Sequence, residues 1–431
     1  MRSLVLLLSL AITACQVDED GDGWSTERGD CDDSDPGRHP GVEEVCNRID
    51  DDCDGTTDEN GEIEELAPGT YGLEAAHVVI RGQEDELYGF GEWLYAIGDA
   101  TGDGADDLAV PTYNGLHLFP AAFCEGEIQS SESNSYLTPG GSSAHVTSRL
   151  GDVNSDQLAD LRVQNRIFVS PSSGTGSDPD SVVTGSATAM AAADLDGDGF
   201  SDLVVGDTTT SSVRFHRGPL AAGEIGTAVS IRRPGFGDRV VVLQGTDPPL
   251  TFVGTRTSVS VIEGLPTEDS EDVSRHLDLE SLFPDDAVFI GAGLASDGHD
   301  RVCVGTDQYG PVRIVCGTLG ELDGGNPSLT IEPRPGTNDE QVGPRLSMTR
   351  DLVAAGHPWA PTPTSDQGGL VYVRGEGGNW DIEGSELNSF GMQVALLRDP
   401  RHDITWLAAA APNEEPGGVI YLFALDASPT M

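Results

Sequence analysis

Asp194-Leu195-Asp196-Gly197-Asp198-Gly199-Phe200-Ser201-Asp202-Leu203-Val204-Val205-Gly206 is the stretch on which the fold is read. Four Asp at positions 1, 3, 5 and 9 of a glycine-rich turn run straight into an apolar, β-branched strand that ends in Gly. Ala189 to Ala193 before it and Val213 to Phe215 after it are further short apolar segments. Working outward, the frame recurs. One copy starts at Gly89-Phe90-Gly91 and runs through Asp99-Ala100-Thr101-Gly102-Asp103-Gly104-Ala105-Asp106-Asp107-Leu108-Ala109-Val110. Another passes through Asp152-Val153-Asn154-Ser155-Asp156-Gln157-Leu158-Ala159-Asp160-Leu161. Four more keep the strands and lose the acid: from Gly235-Phe236-Gly237, from Val288 to Gly293, from Val342 to Arg345 with a third strand Leu370 to Val373, and from Phe390-Gly391-Met392. Short strands at regular spacing, with 55 Gly and 26 Pro in 431 residues, point to an all-β repeat array and away from a helical bundle.

Each unit, with its Phe-Gly opening and Asp-rich turn, resembles an FG-GAP repeat, the blade of the integrin alpha-chain head. The resemblance covers about residues 69–426 and implies a seven-bladed β-propeller. Ala76 to Ile80 has no partner in its own unit and is expected to form the outer strand of the last blade, closing the ring.

The three acidic turns are candidate cation sites, with the backbone carbonyl of position 7 joining the side chains. Their ligand sets are Asp99, Thr101, Asp103, Ala105 and Asp107; Asp152, Asn154, Asp156, Leu158 and Asp160; and Asp194, Asp196, Asp198, Phe200 and Asp202. Carboxylates packed this closely repel one another unless a cation lies between them, and calcium accepts six to eight oxygens in flexible geometry. Thr101 is a weak ligand, so the first turn is expected to bind less well than the third. The integrin resemblance implies that such ions are structural and lie away from the main ligand surface.

Residues 15–60 read as a separate acidic module. Residues 16–60 hold 17 acids and three Arg. Asp18, Asp20 and Asp22 with the carbonyl of Trp24 form one calcium-type loop; Asp50, Asp52 and Asp54 with the carbonyl of Thr56 and with Asp58 form another. The arrangement from Asp18 to Glu59, with Asp30-Cys31-Asp32-Asp33 between the loops, resembles the MopE-type metal-binding motif and, in style, thrombospondin type 3 repeats. That implies a loop-dominated unit held by calcium and disulfides, since so small a module lacks an adequate core. Copper is the alternative metal; the donors are hard oxygens, and His39 is the one imidazole nearby. Arg28-Gly29-Asp30 spells an integrin-binding tripeptide, a match too short to carry weight.

The amino terminus reads as an address. Leu4 to Ile12 is apolar but too short to span a bilayer, and Ile12-Thr13-Ala14-Cys15 resembles a lipoprotein signal over residues 1–14 with lipid on Cys15. The expected location is the cell envelope of a Gram-negative bacterium, lipid-anchored at the outer membrane or cell surface, Gln16 favouring the outer membrane. An oxidising compartment suits the six remaining cysteines. Cys303 with Cys316 is expected across neighbouring strands, Cys46 with Cys53 by proximity, and Cys31 with Cys124 by elimination; other pairings stay open. Residues 61–68 read as a linker and 427–431 as a tail.

The net charge of −50, with all 23 basic residues Arg, excludes nucleic acid and an anionic membrane surface as partners. Without Lys there is no Schiff base and no P-loop. Metalloprotease, hydrolase-elbow, redox and dinucleotide signatures are absent from the sequence. Arg232, Arg233, Arg301, Arg345 and His357 are candidates for a cationic funnel on one face. The expected function is a calcium-binding, non-catalytic adhesion or recognition module for an unidentified protein or glycan; a propeller lyase or hydrolase, or a copper-capture protein, is the alternative.

Overall fold

The computed structural model describes residues 18–42, 50–55 and 63–427, with 84–88, 113–114, 121–122, 124–125, 134, 138–146, 155, 164, 169–180, 184–185, 221–222, 226–227, 256–257, 271–274, 278, 284–292, 307–312, 333–344, 386–388 and 416 left out. The expectations for Cys15, Cys46, Thr56, Asp58 and Cys124 therefore lie outside the described residues. The chain divides into two units, Met1–Glu62 and Ile63–Met431.

The larger unit is a seven-bladed β-propeller. In the third blade, Ala189–Ala193, Asp202–Asp207, Ser212–His216 and Val229–Arg232 pair antiparallel in chain order. The second strand is buried along its whole length, because both faces of a blade meet a neighbour. That is why the second strands read as continuous apolar runs rather than alternating ones. The inner strands are Tyr95–Gly98, Thr147–Gly151, Ala189–Ala193, Arg239–Leu243, Gly293–Ser296, Arg345–Met348 and Val394–Asp399. Each packs beside the next, and the last packs beside the first.

Seven buried apolar clusters fill the seven gaps between blades. Between the third and fourth blades, Leu195, Val204 and Phe215 meet Phe236, Val240 and Val253. The Phe-Gly signature acquires a physical meaning here. Phe236 plugs the gap, and Gly237 lets its backbone slide along the third blade, where a β-carbon would lie 2.3 Å from Asp207 N. Truncating such a plug to Ala costs about 3–5 kcal/mol.

The ring closes as the sequence indicates. Val78–Arg81 pairs antiparallel with Val419–Leu425 as the outer strand of the seventh blade. Residues 63–68, expected as linker, belong to this closure: Leu66 N–H donates to Ala424 O at 2.8 Å, and Leu66 O accepts Trp380 Nε1–H at 2.7 Å. A second device covers edges. The segment joining the third and fourth strands of a blade lies parallel along the outer strand of the preceding blade: Gly126–Gln129 on Val78–Arg81, and Gly223–Ile225 on Ser181–Val183. Gly69–Gly72, which precedes the closing strand, does the same on Gly378–Glu383. Ser270 bridges Ile231 in the same sense. Exposed sheet edges invite pairing with other chains, so this cover restrains aggregation.

The smaller unit has, among its described residues, a single 3₁₀ turn at Thr26–Arg28 and no strand. Cys31 is bonded to Cys53, with Cα atoms 5.6 Å apart. This overturns both pairings expected for those residues, Cys46–Cys53 and Cys31–Cys124, because tertiary folding of the loops brings Cys53 back across 22 residues. In the propeller, Cys303 and Cys316 are bonded across directly opposed strand positions, as their spacing indicates.

Candidate metal centres

All five acidic turns are built on one local plan. The position-1 carboxylate gathers backbone N–H groups: Asp194 Oδ1 accepts from Gly197 N at 2.7 Å and Oδ2 from Gly199 N at 2.9 Å. Asp99, Asp18, Asp152 and Asp50 do the same in their own turns. Position 5 then accepts the N–H of position 7: Phe200 on Asp198, Leu158 on Asp156, Ala105 on Asp103 and Trp24 on Asp22. Position 6 takes the left-handed conformation. Gly199 has φ +89°, whereas Gln157 fills the same place at φ +74° with a side chain that disfavours it.

The tertiary surroundings separate the turns. In the third blade, oxygens of Asp194, Asp196 and Asp202 lie within 4.8 Å of one another. Asp202 is fully buried; its oxygens accept from Leu195 N and Gly218 N at 2.9 Å each. Burial, then the charges of Asp196 and Asp198, hold its carboxyl above the ordinary range against those two donors. Arg217 reaches Asp196 at 2.5 Å and Asp198 at 3.3 Å, but its side chain is 63% exposed. An exposed pair is worth about 0–1 kcal/mol. Two carboxylates within 4.8 Å of each other repel by at least about 3 kcal/mol at an effective dielectric of ~20. Arg217 pairs with Asp196 and Asp198, whereas Asp194 and Asp202 meet backbone N–H donors alone; a hard divalent cation would meet all of them.

The first-blade turn holds an internal cation. Arg401, from the seventh blade, grips Asp399 with Nε at 2.9 Å and Nη2 at 3.0 Å, and its Nη1 donates to Asp103 O at 2.9 Å. Asp399, with Arg401 and His402 as donors, titrates below the ordinary range in spite of its burial. Asp107 is fully buried, and desolvation with the Asp103 charge pushes its pKa up to about 7. Both Asp107 oxygens face inward: Oδ2 accepts Ala100 N and Thr101 N at 2.8 Å each, and Oδ1 accepts Thr101 Oγ1–H at 3.2 Å. Asp99, Asp103 and Asp107 do not converge as the third-blade set does, and Thr101, expected as a ligand, turns its hydroxyl to Asp107.

The second turn lies between these cases. Asp160 Oδ2 accepts Val153 N at 2.6 Å, and Asn154 Nδ2 donates to Asp156 at 3.0 Å. Position 8 of each turn links it to the preceding blade: Ser201 Oγ donates to Asp152 O, Ala159 N to Asp99 O, and Asp106 N to Arg398 O. Of the five funnel candidates, Arg232, Arg233, Arg345 and His357 fall at one end of the ring and Arg301 at the other. Arg301 opens the second strand of its blade, whereas His357 closes its own second strand and Arg232 closes a fourth strand. Antiparallel pairing puts Arg301 at the opposite end of the ring. His357 is buried, and desolvation pushes its pKa down to about 4.

In the smaller unit, oxygens of Asp18, Asp20 and Asp22 lie within 4.8 Å of one another, as do those of Asp50, Asp52 and Asp54. Sequence reading missed Arg401, Asp399 and Arg217, since nothing local marks an arginine 298 residues away as the partner of Asp103.

Two family models match segments of the chain. Residues 186–213 match the FG-GAP repeat family, and residues 30–59 match the Cu-binding MopE metal-binding motif. No curated protein matches the chain. Among solved structures, the AfRom2 CNH domain is similar at 11% identity and TM-score 0.44, covering 77% of this chain and 95% of that one. BBS1N in complex with ARL6DN gives 16% and 0.46 over 79% and 98%, and the Dos1 propeller 8% and 0.43 over 85% of each chain. These likenesses say nothing of function. Among the described residues of 30–59 the donors suit copper poorly: Cys31 and Cys53 are oxidised, and the others are carboxylates beside His39. At the start of that segment and ahead of it, Asp30 Oδ2, Asp20 Oδ2 and Asp22 Oδ2 are buried without a hydrogen-bond donor, a setting that suits a hard cation. The chain thus carries an FG-GAP repeat in the third blade of a seven-bladed propeller and a MopE-type metal-binding motif ahead of that propeller.

Proposed function

We propose that the chain is a calcium-stabilised, lipid-anchored protein of the cell envelope whose propeller is a non-catalytic recognition module for protein or glycan. The observation that carries this is the third-blade turn, where Asp194, Asp196 and Asp202 converge inside the FG-GAP match. Calcium suits the all-oxygen donor set and the extracellular range of affinities, about 10⁻⁴–10⁻³ M. Its part is structural: it relieves carboxylate repulsion and stiffens the turn from which Ser201 reaches the second blade. Lipid on Cys15 tethers the molecule to the membrane, and the strong negative charge keeps nucleic acid away.

The test combines a melt with a binding screen. Full-length protein in millimolar calcium is expected to melt well above the same protein in chelator, with Asp194→Ala losing most of the difference. The calcium-loaded protein is then offered a panel of glycans and envelope proteins, and turnover of each glycan is followed. No calcium shift removes the metal from this reading. Hydrolysis or elimination of a glycan, abolished by a single pocket substitution, replaces recognition with catalysis.

A further inference from the structure

The outer strand of a blade is covered by the connection between the third and fourth strands of the next blade, which lies parallel on it. Gly126–Gln129 covers the seventh blade, Gly223–Ile225 the second and Gly69–Gly72 the sixth. Ser270 covers the third through a single bridge to Ile231. The fourth is covered by the helix Leu319–Asp323, whose Leu322 joins the cluster of Leu277 and whose Asp323 pairs with Arg275. The cover of the fifth blade should come from the sixth. There, however, Gly375 pairs directly with Gly378, so the connection is the two-residue turn Glu376-Gly377. No connection is left to lie on Leu329–Ile331, and among the described residues that strand pairs with Ile314–Thr318 alone. The connection over the first blade lies outside the described residues.

The register aims the polar groups of this edge. Cys303 and Cys316 stand opposite each other with Cα atoms 4.0 Å apart, the close spacing of a pair that exchanges no backbone hydrogen bonds. Cys316 therefore turns its N–H and C=O to Leu329, and Ile314, two residues away, turns its own to Ile331. Thr330, between them, directs its N–H and C=O off the edge, and it is exposed. Pro327 and Pro333 bound the strand. They stop open-ended sheet growth, since proline cannot donate to a ladder. The stretch between them still matches the covers, which are three or four residues long.

The covers themselves define what fits. All three strand covers begin with Gly. Their third residue reaches the gap between the covered blade and the next, as Ile128 and Tyr71 do. The second residue follows the charge of the strand beneath. Glu127 pairs with Arg81, which ends its strand, whereas Thr70 lies on a strand that ends in Glu383. Leu329–Ile331 runs into Glu332, and half-buried Leu329 stands at the gap that holds Tyr372. We infer that the open edge of the fifth blade docks an extended segment of a partner protein as a parallel fifth strand. The segment carries Gly, then an uncharged β-branched residue, then an aromatic or aliphatic one, the pattern of Gly69-Thr70-Tyr71. The backbone of Thr330 supplies the pairing, and the gap beside Leu329 selects the side chain. The inference rests on the recognition reading above and names its surface and the class of its partner.

The experiment titrates the full chain into a blocked, fluorescein-labelled peptide, Pro-Gly-Thr-Tyr-Gly-Leu, the chain's own residues 68–73, and follows anisotropy. Saturable binding is expected. Thr330→Pro removes the outward N–H at an edge position where no neighbouring strand loses a partner. It is expected to melt as the wild type does and to weaken the peptide by about fivefold. The wild-type protein gives a second reading that needs no variant. A photoreactive benzoylphenylalanine in place of the peptide's tyrosine is expected to crosslink to the Leu329–Ile331 edge or to Tyr372 across the gap. No saturable binding up to millimolar peptide, equal binding by a folded Thr330→Pro, or an adduct on another blade would each overturn the docking site. The screen of glycans and envelope proteins is read separately, so failure of this edge and failure of the recognition reading are told apart.

Discussion

The turns at residues 99–107 and 194–202 share a sequence signature and a backbone plan, yet they use their charge in opposite ways. In the third blade, three carboxylates converge and the nearest arginine, Arg217, is largely in solvent. In the first blade, Arg401 from the seventh blade, braced by Asp399 and 23% exposed, supplies a fixed positive charge, although Asp103 Oδ2 stays buried without a hydrogen-bond donor. The first turn stands at the junction where the ring closes. Asp106 also exchanges two hydrogen bonds with the Arg398 backbone there, one through its N–H and one through its carboxylate. A latch made of protein charge is always in place, whereas a latch made of calcium depends on the medium. Identical ligand spacing therefore does not mean identical ligation.

The largest effect that would break this comparison comes from Arg401. Arg401→Gln leaves Asp399 buried beside Asp103, and denaturant unfolding is expected to show a loss of about 3 kcal/mol. Added calcium should restore part of that loss only if the first turn then becomes a cation site. Next, Asp194→Ala is expected to remove about 2.7 kcal/mol of calcium-dependent stabilisation, measured at a calcium concentration near a hundred times the dissociation constant. The same substitution at Asp99 should change calcium dependence far less; an equal loss at both positions would erase the distinction.

A smaller effect follows from Asp107. Its folded pKa of about 7 exceeds the unfolded value, so the folded turn binds the proton more tightly. Its contribution is complete below about pH 4 and is lost as pH rises through about 7. In chelator, wild-type stability is therefore expected to decline across that window, and Asp107→Asn to flatten the decline. Gln157→Gly should give the smallest change, a gain under about 1 kcal/mol, because relief of the left-handed position is offset by the freer unfolded chain. A clear loss instead would mean that the Gln157 side chain holds the second turn together.

Much of this was legible in the chain. The repeat frame, the seven blades, the closing strand before Phe90 and the Cys303–Cys316 bond follow from local pattern, because strand periodicity and turn chemistry are written within a few residues. The Cys31–Cys53 bond was not legible, since six cysteines allow many pairings and the choice depends on how loops without regular structure come together. Nor was the absorption of residues 63–68 into the closure, which rests on Trp380 and Ala424, both more than three hundred residues away.

The sequence by itself determined which turns are acidic, how each carboxylate meets its own backbone, and that every blade needs an apolar face on both sides. Only the tertiary structure decided which of those turns is braced by a guanidinium from another blade and which gathers three carboxylates. The physical reason is range. Hydrogen bonds within a turn are settled by neighbours along the chain. The field at a carboxylate is settled by whatever charge and burial the fold brings within a few ångströms, from any position in the sequence.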